Sequence, residues 1–326
     1  MLIINRPHTD PYFNLAAEEY FLKNFEEDLF MLWRCEPSVI VGKHQNALAE
    51  INIRYVREHN IKVVRRISGG GTVYHDPGNI NFTFIRKGEP GTLVDFKRYT
   101  QPVLDLLNNL GVHAVSGEHN SLFTKEKKFS GNAEHIFKNR VLHHGTLLYS
   151  TDLSKLSQAI LPASASYTDK SVKSIRSTVT NIAEYLKTPM LVESFTNLML
   201  EHIKSAFPDT KVINLTTESE NEIHKLVRSK YLTWEWNYGY SPSYIFHKHT
   251  LTSSGNIQIE FHVEKGMITH AKIDADFLSL AEMNALECEL TGIPHYPEPL
   301  MNLASVERLI EYFHSDFEYE FLHVFF

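Results

Sequence analysis

The chain has 326 residues, 43% of them apolar and 22% charged, enough for a sizeable buried core and, at roughly 150 residues each, about two domains. Thirty-two Lys and Arg against 39 Asp and Glu leave a net charge of -7 with no long block of one sign, which argues against a phosphate-held nucleic-acid binder. No apolar run approaches the roughly 20 residues of a membrane helix, and the N-terminus lacks a basic-then-apolar targeting pattern. Cys35 and Cys288 stand far apart in no metal-type spacing, so we expect no membrane partner, no disulfide framework and a reduced, cytoplasmic setting.

Asp10-Pro11 reads as a helix start, a capping carboxylate followed by proline at the first helical position. Phe13, Ala16, Ala17, Tyr20 and Phe21 then share one helical stripe. The runs 30–33 and 39–41 read as strands, 47–59 as a helix, and 62–66 and 81–85 as further strands. Val103, Leu106, Leu107 and Leu110 mark a helix closed by Gly111. Short strands are expected at 112–115, 121–124 and 128–130, with Lys125-Glu126-Lys127 as the turn between the last two, and a longer strand at 141–149. Helical patterns cover 191–206 and 220–231. Beyond residue 245 the stretches 257–263 and 267–273, split by Glu264-Lys265-Gly266, predict a hairpin, and 280–290 and 306–314 predict helices. Strands and helices alternate irregularly, so the fold class is α+β: a large domain over residues 1–245 and a small C-terminal α+β domain over 246–326.

Three segments carry candidate chemistry. Gly69, Gly70 and Gly71 are consecutive, flanked by Arg65 and Arg66 on one side and by His75, Asp76 and Asn79 on the other. Glycine runs persist where a chain turns sharply or approaches a ligand closely, and backbone N–H groups beside a guanidinium suit a phosphate or carboxylate. A surface hairpin with two solvated arginines is the bland alternative. The loop is neither a P-loop nor a Rossmann fingerprint, because both spacings are absent. The second segment is Lys128-Phe-Ser130-Gly131-Asn132-Ala133, where a lysine entering a short strand points an ammonium at an anion or else stands in solvent. The third is His143-His144-Gly145-Thr146. Adjacent strand residues face opposite ways, so this pair is a poor metal site and a better place for close ligand approach.

Arg65-Arg66-Ile-Ser68-Gly-Gly-Gly-Thr-Val-Tyr-His75-Asp76 with Gly78-Asn79, then Lys128-Phe-Ser-Gly-Asn-Ala133, then His144-Gly-Thr146, together resemble the lipoate–protein ligase A family. Asn14-Leu-Ala-Ala-Glu-Glu19, Ser174-Ile-Arg-Ser177, Trp234-x-Trp236 and the hairpin before Ile268 extend the likeness along the chain. The resemblance implies a large mixed-sheet domain of the lipoate/biotin protein ligase type with a small accessory domain. It implies an adenylate-forming acid–amine ligase that activates lipoate with ATP, with Mg²⁺ as the expected metal. The lipoyl group then passes to a lysine of an acceptor domain, in 2-oxoacid dehydrogenase E2 subunits or the glycine cleavage H protein. Lys128 is the implied catalytic lysine. Arg66, Ser68, Gly70, Gly71, Thr72, Val73 and Tyr74 are implied to hold nucleotide and acyl carboxylate. His75, Asn79, His144, Gly145 and Thr146 are implied to line the same pocket. Oligomeric state is left unassigned.

One departure stands out: the family's Arg-Asn-Asp before the lysine hairpin reads His119-Asn120-Ser121 here, so a carboxylate is missing. The nearest rival, an acyltransferase moving octanoyl or lipoyl groups between carriers, needs a nucleophilic cysteine. The stretch 164–166, where such a relative would carry it, has none. A biotin ligase is disfavoured because its Gly-Arg-Gly-Arg type loop is absent. A non-catalytic lipoate-binding relative is favoured only by Ser121.

Overall fold

The computed structural model describes residues 1–88, 93–160, 165–312 and 317–326. In chain order the first strands are β1 (Leu2–Ile4), β2 (Leu29–Trp33), β3 (Ser38–Val41), β4 (Lys62–Arg65), β5 (Val73–His75) and β6 (Asn79–Lys87). They continue with β7 (Val115–Ser116), β8 (Ser121–Thr124), β9 (Lys127–Phe137), β10 (Arg140–Leu148) and β11 (Ser166–Asp169). The last are β12 (Lys211–Ile213), β13 (Tyr244–Leu251), β14 (Asn256–Glu264) and β15 (Met267–Ala275). The helices used below are α1 (Pro11–Asn24), α2 (Ala47–Glu50), α3 (Ile53–Glu58), α4 (Phe96–Asn109), α5 (Leu153–Ala159), α6 (Val192–Ala206), α7 (Thr217–Leu226) and α8 (Leu280–Leu290).

By contact the chain forms two compact units. One draws on Met1–Lys43, Val64–Ser157 and Ile175–Leu232, the other on His44–Val63, Gln158–Ser174 and Thr233–Phe326. The second unit therefore takes in two segments that precede residue 246 in the sequence, so the chain passes between the units more than once.

The first unit is built on a mixed sheet ordered β12-β1-β2-β6-β10-β9-β8-β7, parallel where β1 meets β12 and β2 and antiparallel from β2 through β7. Strand β6 shows why its two faces differ. Ile80, Phe82 and Phe84 alternate with Asn79, Asn81 and Thr83, and successive strand residues point to opposite sides. The apolar set joins Tyr99, Val103 and Leu107 of α4 and Phe195, Met199 and Ile203 of α6 in one buried cluster. The polar set is equally buried and meets α1, where Glu18 accepts a hydrogen bond from Thr83. That buried polar face positions the site.

Helix α1 starts as expected: Asp10 caps it by accepting from Phe13 N–H at 2.9 Å, with Pro11 in the first turn. The helix expected over 47–59 is two, α2 and α3, because Asn52 breaks away and caps α3 through Tyr55 N–H at 3.1 Å. The helix expected over 220–231 starts earlier, as α7, and its last turn, Val227–Tyr231, widens into π geometry. Its Tyr231 hydroxyl donates to Glu19 at 2.6 Å. The strand expected over 112–115 shrinks to β7, whereas that over 128–130 lengthens into β9. Lys125 and Glu126, both with positive φ, make the tight turn between β8 and β9.

The second unit holds the antiparallel sheet β11-β13-β14-β15. The predicted hairpin forms with Glu264 opposite Met267, and the turn residues Lys265 and Gly266 have φ of 51° and 76°. A Cβ at Gly266 would lie 2.6 Å from the Trp234 ring, so the glycine lets that indole pack against the turn. Helix α8 begins with a Ser279–Glu282 capping box. The helix expected over 306–314 is a short helix, Ala304–Glu307, followed by a tighter turn, Arg308–Glu311. His314 lies outside the described residues. Among the described residues no helix is long and apolar enough to cross a membrane.

Candidate active site

Strand β4 ends in Arg65, Arg66 follows it at the start of the glycine loop, and both are buried. Arg65 donates to the carbonyls of Gly42 (3.0 Å) and Lys43 (3.2 Å). Arg66 donates from Nε to Ser68 Oγ (3.0 Å), from Nη1 to the Ile40 carbonyl (3.1 Å), and from Nη2 to the carbonyls of Gly69 (2.6 Å) and Gly71 (2.8 Å). Burial pushes the Arg66 guanidinium down to about 10, with nearby Glu18 pulling the other way. The loop is therefore wrapped around the guanidinium. Gly70 has φ +88°, and a Cβ there would sit 3.1 Å from Arg66 Nη2, so this position needs glycine. Thr72 and Tyr74 are buried, and β5 pairs Val73 with Ile40 and Tyr74 with Val39.

From the loop a buried hydrogen-bonded chain crosses the polar face of the sheet. Ser68 Oγ lies 2.6 Å from His144 Nε2, and His144 Nδ1 lies 3.0 Å from Glu18 Oε2. Thr83 donates to Glu18 and accepts from Trp33 Nε1 at 2.9 Å. Burial would raise the Glu18 carboxyl, but the His144 charge and the bonds from His144 and Thr83 hold it below the ordinary carboxylate range. The two histidines do face opposite ways. His143 turns to the core face, where its Nδ1 lies 3.0 Å from Glu134 and its ring stacks on Phe82 and Tyr99.

His75 and Asn79 flank this chain. His75 is 3% exposed, and neither ring nitrogen has a hydrogen-bond partner among the described residues. The Trp33 ring meets it edge-on at 5.8 Å. Burial, with Arg66 and His144 adding to it, pushes His75 down to about 3. Asn79 donates to Asn81 at 3.0 Å, and its own Oδ1 is without a partner among the described residues. Asp76, by contrast, is fully committed to the chain. Its carboxylate accepts from the N–H groups of Gly78 (2.9 Å), Asn79 (3.1 Å) and Asp152 (2.8 Å).

Lys128 enters from β9. Its N–H donates to the Thr178 carbonyl at 2.9 Å and its carbonyl accepts from Thr180 N–H at 3.0 Å, so the segment 178–180 clamps the lysine backbone. The side chain runs along Gly131, where a Cβ would be 3.4 Å from Nζ, and Gly131 N–H donates to Thr146 Oγ1 at 3.2 Å. Burial lowers the pKa of this ammonium, and among the described residues no carboxylate pairs with it. Ser121 stands opposite Gly131 and turns its hydroxyl to the His119 carbonyl, 3.4 Å away. Gly145 has a packing reason: a Cβ would fall 2.1 Å from Asn132 Oδ1 and 2.5 Å from the Phe82 ring.

The expected site residues thus lie along one unit, with the Gly145 α-carbon facing the core and Arg66 turned onto the loop. Sequence reasoning missed Glu18, Thr83 and Trp33. The available signal was a carboxylate beside the apolar stripe of α1 and polar residues alternating through β6. Of the acidic groups in this region, Asp76 already accepts three N–H groups, and among the described residues no group of three His, Cys, Asp or Glu side chains is placed to hold a metal ion by itself.

Comparison with known proteins carries the same pattern. Residues 10–204 match the lipoyl protein ligase A/B catalytic domain, and residues 241–325 match the bacterial lipoate protein ligase C-terminus. The chain is 42% identical over 315 residues to lipoate–protein ligase 1 of Staphylococcus aureus, spanning 95% of each. A putative lipoate protein ligase from T. acidophilum with bound lipoic acid superposes with a TM-score of 0.63 at 26% identity, covering 72% of this chain and 98% of that one. A lipoate-protein ligase A bound with ATP superposes with a TM-score of 0.62 at 26% identity, covering 73% of this chain and 98% of that one. Glycine loop, lysine strand and accessory unit, each in order along a chain that matches from end to end, make this protein a member of the lipoate–protein ligase family.

Proposed function

We propose that this chain is an ATP-dependent lipoate–protein ligase, forming lipoyl-adenylate and passing the lipoyl group to a lysine of an acceptor domain. The acceptors that fit this reading are E2 subunits of 2-oxoacid dehydrogenases and the glycine cleavage H protein. The observation that carries it is the Lys128 ammonium, partly desolvated, backbone-clamped and without a carboxylate partner among the described residues. The carboxylate oxygen attacks the α-phosphorus and pyrophosphate leaves with the electron pair of the broken P–O bond; this brings two anions together, and a preorganised cation between them lowers that barrier. An ammonium with no internal counter-ion keeps its full charge for those anions. In the second step the neutral acceptor amine attacks the acyl carbon, the C–N bond forms, AMP leaves with the electron pair of the C–O bond, and the nitrogen releases a proton to solvent. Positioning supplies most of that rate.

Thioester transfer finds no support in the cysteines. Cys35 is buried, and burial pushes its thiol up to about 12, too high for a thiolate nucleophile at neutral pH. Cys288 is exposed on α8 in the second unit. Ser164, in the stretch where a transferase cysteine would stand, lies outside the described residues.

The test is to incubate the chain with lipoate and a recombinant acceptor domain, with and without ATP, and weigh the acceptor. The reading requires the mass of one lipoyl group to be gained only with ATP. Gain without ATP would replace it with acyl transfer, and no gain in either arm would leave a non-catalytic relative.

A further inference from the structure

The sheet of the second unit keeps Phe246, Ile259, Phe261 and Ile273 inside and turns a different set of residues outward. Four of the outward side chains meet across three strands. On β14, Glu260 and His262 are two residues apart and so share a face. Glu260 stands opposite His247 of β13, and His262 stands opposite His270 of β15. The Glu260 carboxylate already joins two imidazoles, with Oε1 at 3.0 Å from His262 Nε2 and Oε2 at 3.4 Å from His247 Nδ1. The His262 and His270 rings meet at right angles with centroids 5.5 Å apart. A register shift between His262 and Val263, the mark of a bulge, falls at this point, and bulges re-aim side chains.

Three imidazoles and one carboxylate are a nitrogen-rich donor set. That suits a borderline divalent cation such as Zn²⁺, not Mg²⁺ or Ca²⁺, which take oxygen ligands. As they stand the donors do not converge, since among the described residues no three such groups surround one point. The side chains are free to rotate toward one another, since His247, Glu260 and His262 keep 46%, 37% and 44% of their side-chain surface exposed and His270 is exposed too. The charges facing the patch are Lys272, opposite Glu260 on β15, Glu264, two residues beyond His262 on the same face of β14, and, on the other side, His249 of β13 and Asp274 of β15 flanking Gln258. Lys272 is exposed, with a long stem that can swing its ammonium into solvent.

We propose that Glu260, His262 and His270, with His247 as fourth donor, form a surface site for a Zn²⁺-type cation on the accessory sheet. Such a cation would staple β13, β14 and β15 and stabilise the fold by mass action. The claim does not depend on the ligase reading.

Calorimetric titration of the untagged, chelator-stripped full chain with ZnCl₂ tests it. One site is expected, together with a thermal midpoint that rises with Zn²⁺ concentration. His262→Gln and His270→Asn should each weaken binding at least tenfold, and the metal-free melting of both should match wild type because the residues are exposed. His249→Gln, on the same face but outside the site, should bind as wild type does. Equal binding by wild type and both site variants would overturn the proposal, as would an equal loss in His249→Gln, which would mean adventitious histidine binding only. Mg²⁺ bound as tightly as Zn²⁺ would overturn the assignment of nitrogen ligands.

Discussion

Two histidines, one in each unit, are both buried and both held well below the ordinary imidazole range, yet their surroundings differ. His295 uses both ring nitrogens: Tyr244 hydroxyl lies 2.8 Å from Nδ1, and the Phe325 carbonyl lies 2.9 Å from Nε2. Its ring also stacks on Phe326, so it behaves as a satisfied core residue of the accessory unit. His75 uses neither nitrogen among the described residues, and Asn79 Oδ1 and Asn81 Nδ2 are also without partners. Buried polar groups are normally paired, because leaving one unmade costs about 1–3 kcal/mol. A fold that keeps such groups on β5 and on β6 is holding them for something else to satisfy. Burial alone therefore does not mark a functional histidine; what sets His75 apart is that both of its ring nitrogens are unspent among the described residues, whereas His143 spends one on Glu134 and His295 spends both.

The sharpest way to break this contrast is to replace both residues. His295→Leu strands the Tyr244 hydroxyl and the Phe325 carbonyl, so a loss of about 2–4 kcal/mol in denaturant unfolding is expected. His75→Leu removes two unsatisfied nitrogens and should leave stability unchanged or slightly higher, while adenylate formation falls. Equal destabilisation by the two would erase the distinction.

Two glycines extend the same test at smaller cost. Gly145→Ala drives a methyl into Asn132 and Phe82 and should cost about 1–3 kcal/mol by overpacking. A Cβ at Gly69 meets nothing within 4 Å, so Gly69→Ala should melt with wild type. A stable Gly145→Ala would show that its glycine serves ligand approach and not packing.

Acidification gives a third, graded effect. Burial pushes His75 to about 3 and His295 to about 4, both depressed from 6.5. Each therefore makes folding lose stability as pH falls below 6.5 toward those values, at up to about 1.4 kcal/mol per pH unit per group, with no such loss above pH 6.5. Between pH 4.5 and 6.5 the His143–Glu134 pair adds little net slope, because its two members act in opposite directions there. His143 is pushed down to about 3, whereas burial raises Glu134 to about 7, so its contribution is present below pH 4.5 and lost as pH rises through 7. His75→Leu should flatten the acid limb between pH 6.5 and 4, and an unchanged slope would refute the burial of a neutral His75. The smallest effect is expected at the cysteines: Cys35→Ser and Cys288→Ser should keep near-full ligation, and an acyl group trapped on either would overturn the adenylate route.

What the sequence disclosed was mostly local. The Asp10-Pro11 start, the Lys125-Glu126 and Lys265-Gly266 turns and the opposite facing of His143 and His144 follow from capping, turn chemistry and strand alternation. What it concealed was non-local. Nothing near Arg66 in sequence announces that its donors close on Ile40 as well as on its own loop. Glu18 reaches Thr83 and His144 only once α1 lies on the sheet. Strand β11 escaped notice because its four residues take their partner from β13, more than 70 positions along the chain. Asn52 ended a helix early because its side chain offered the next one a cap that periodicity does not weigh.

The central claim is that an ammonium with no carboxylate partner among the described residues activates the acyl carboxylate, and one measurement addresses it directly. Wild type and Lys128→Ala would be mixed with ATP and lipoate, without acceptor, and lipoyl-adenylate quantified by mass spectrometry alongside unfolding midpoints. ATP-dependent adenylate in wild type, falling at least about a hundredfold in a Lys128→Ala protein that unfolds like wild type, is the expected result. Undiminished adenylate from Lys128→Ala would contradict the account.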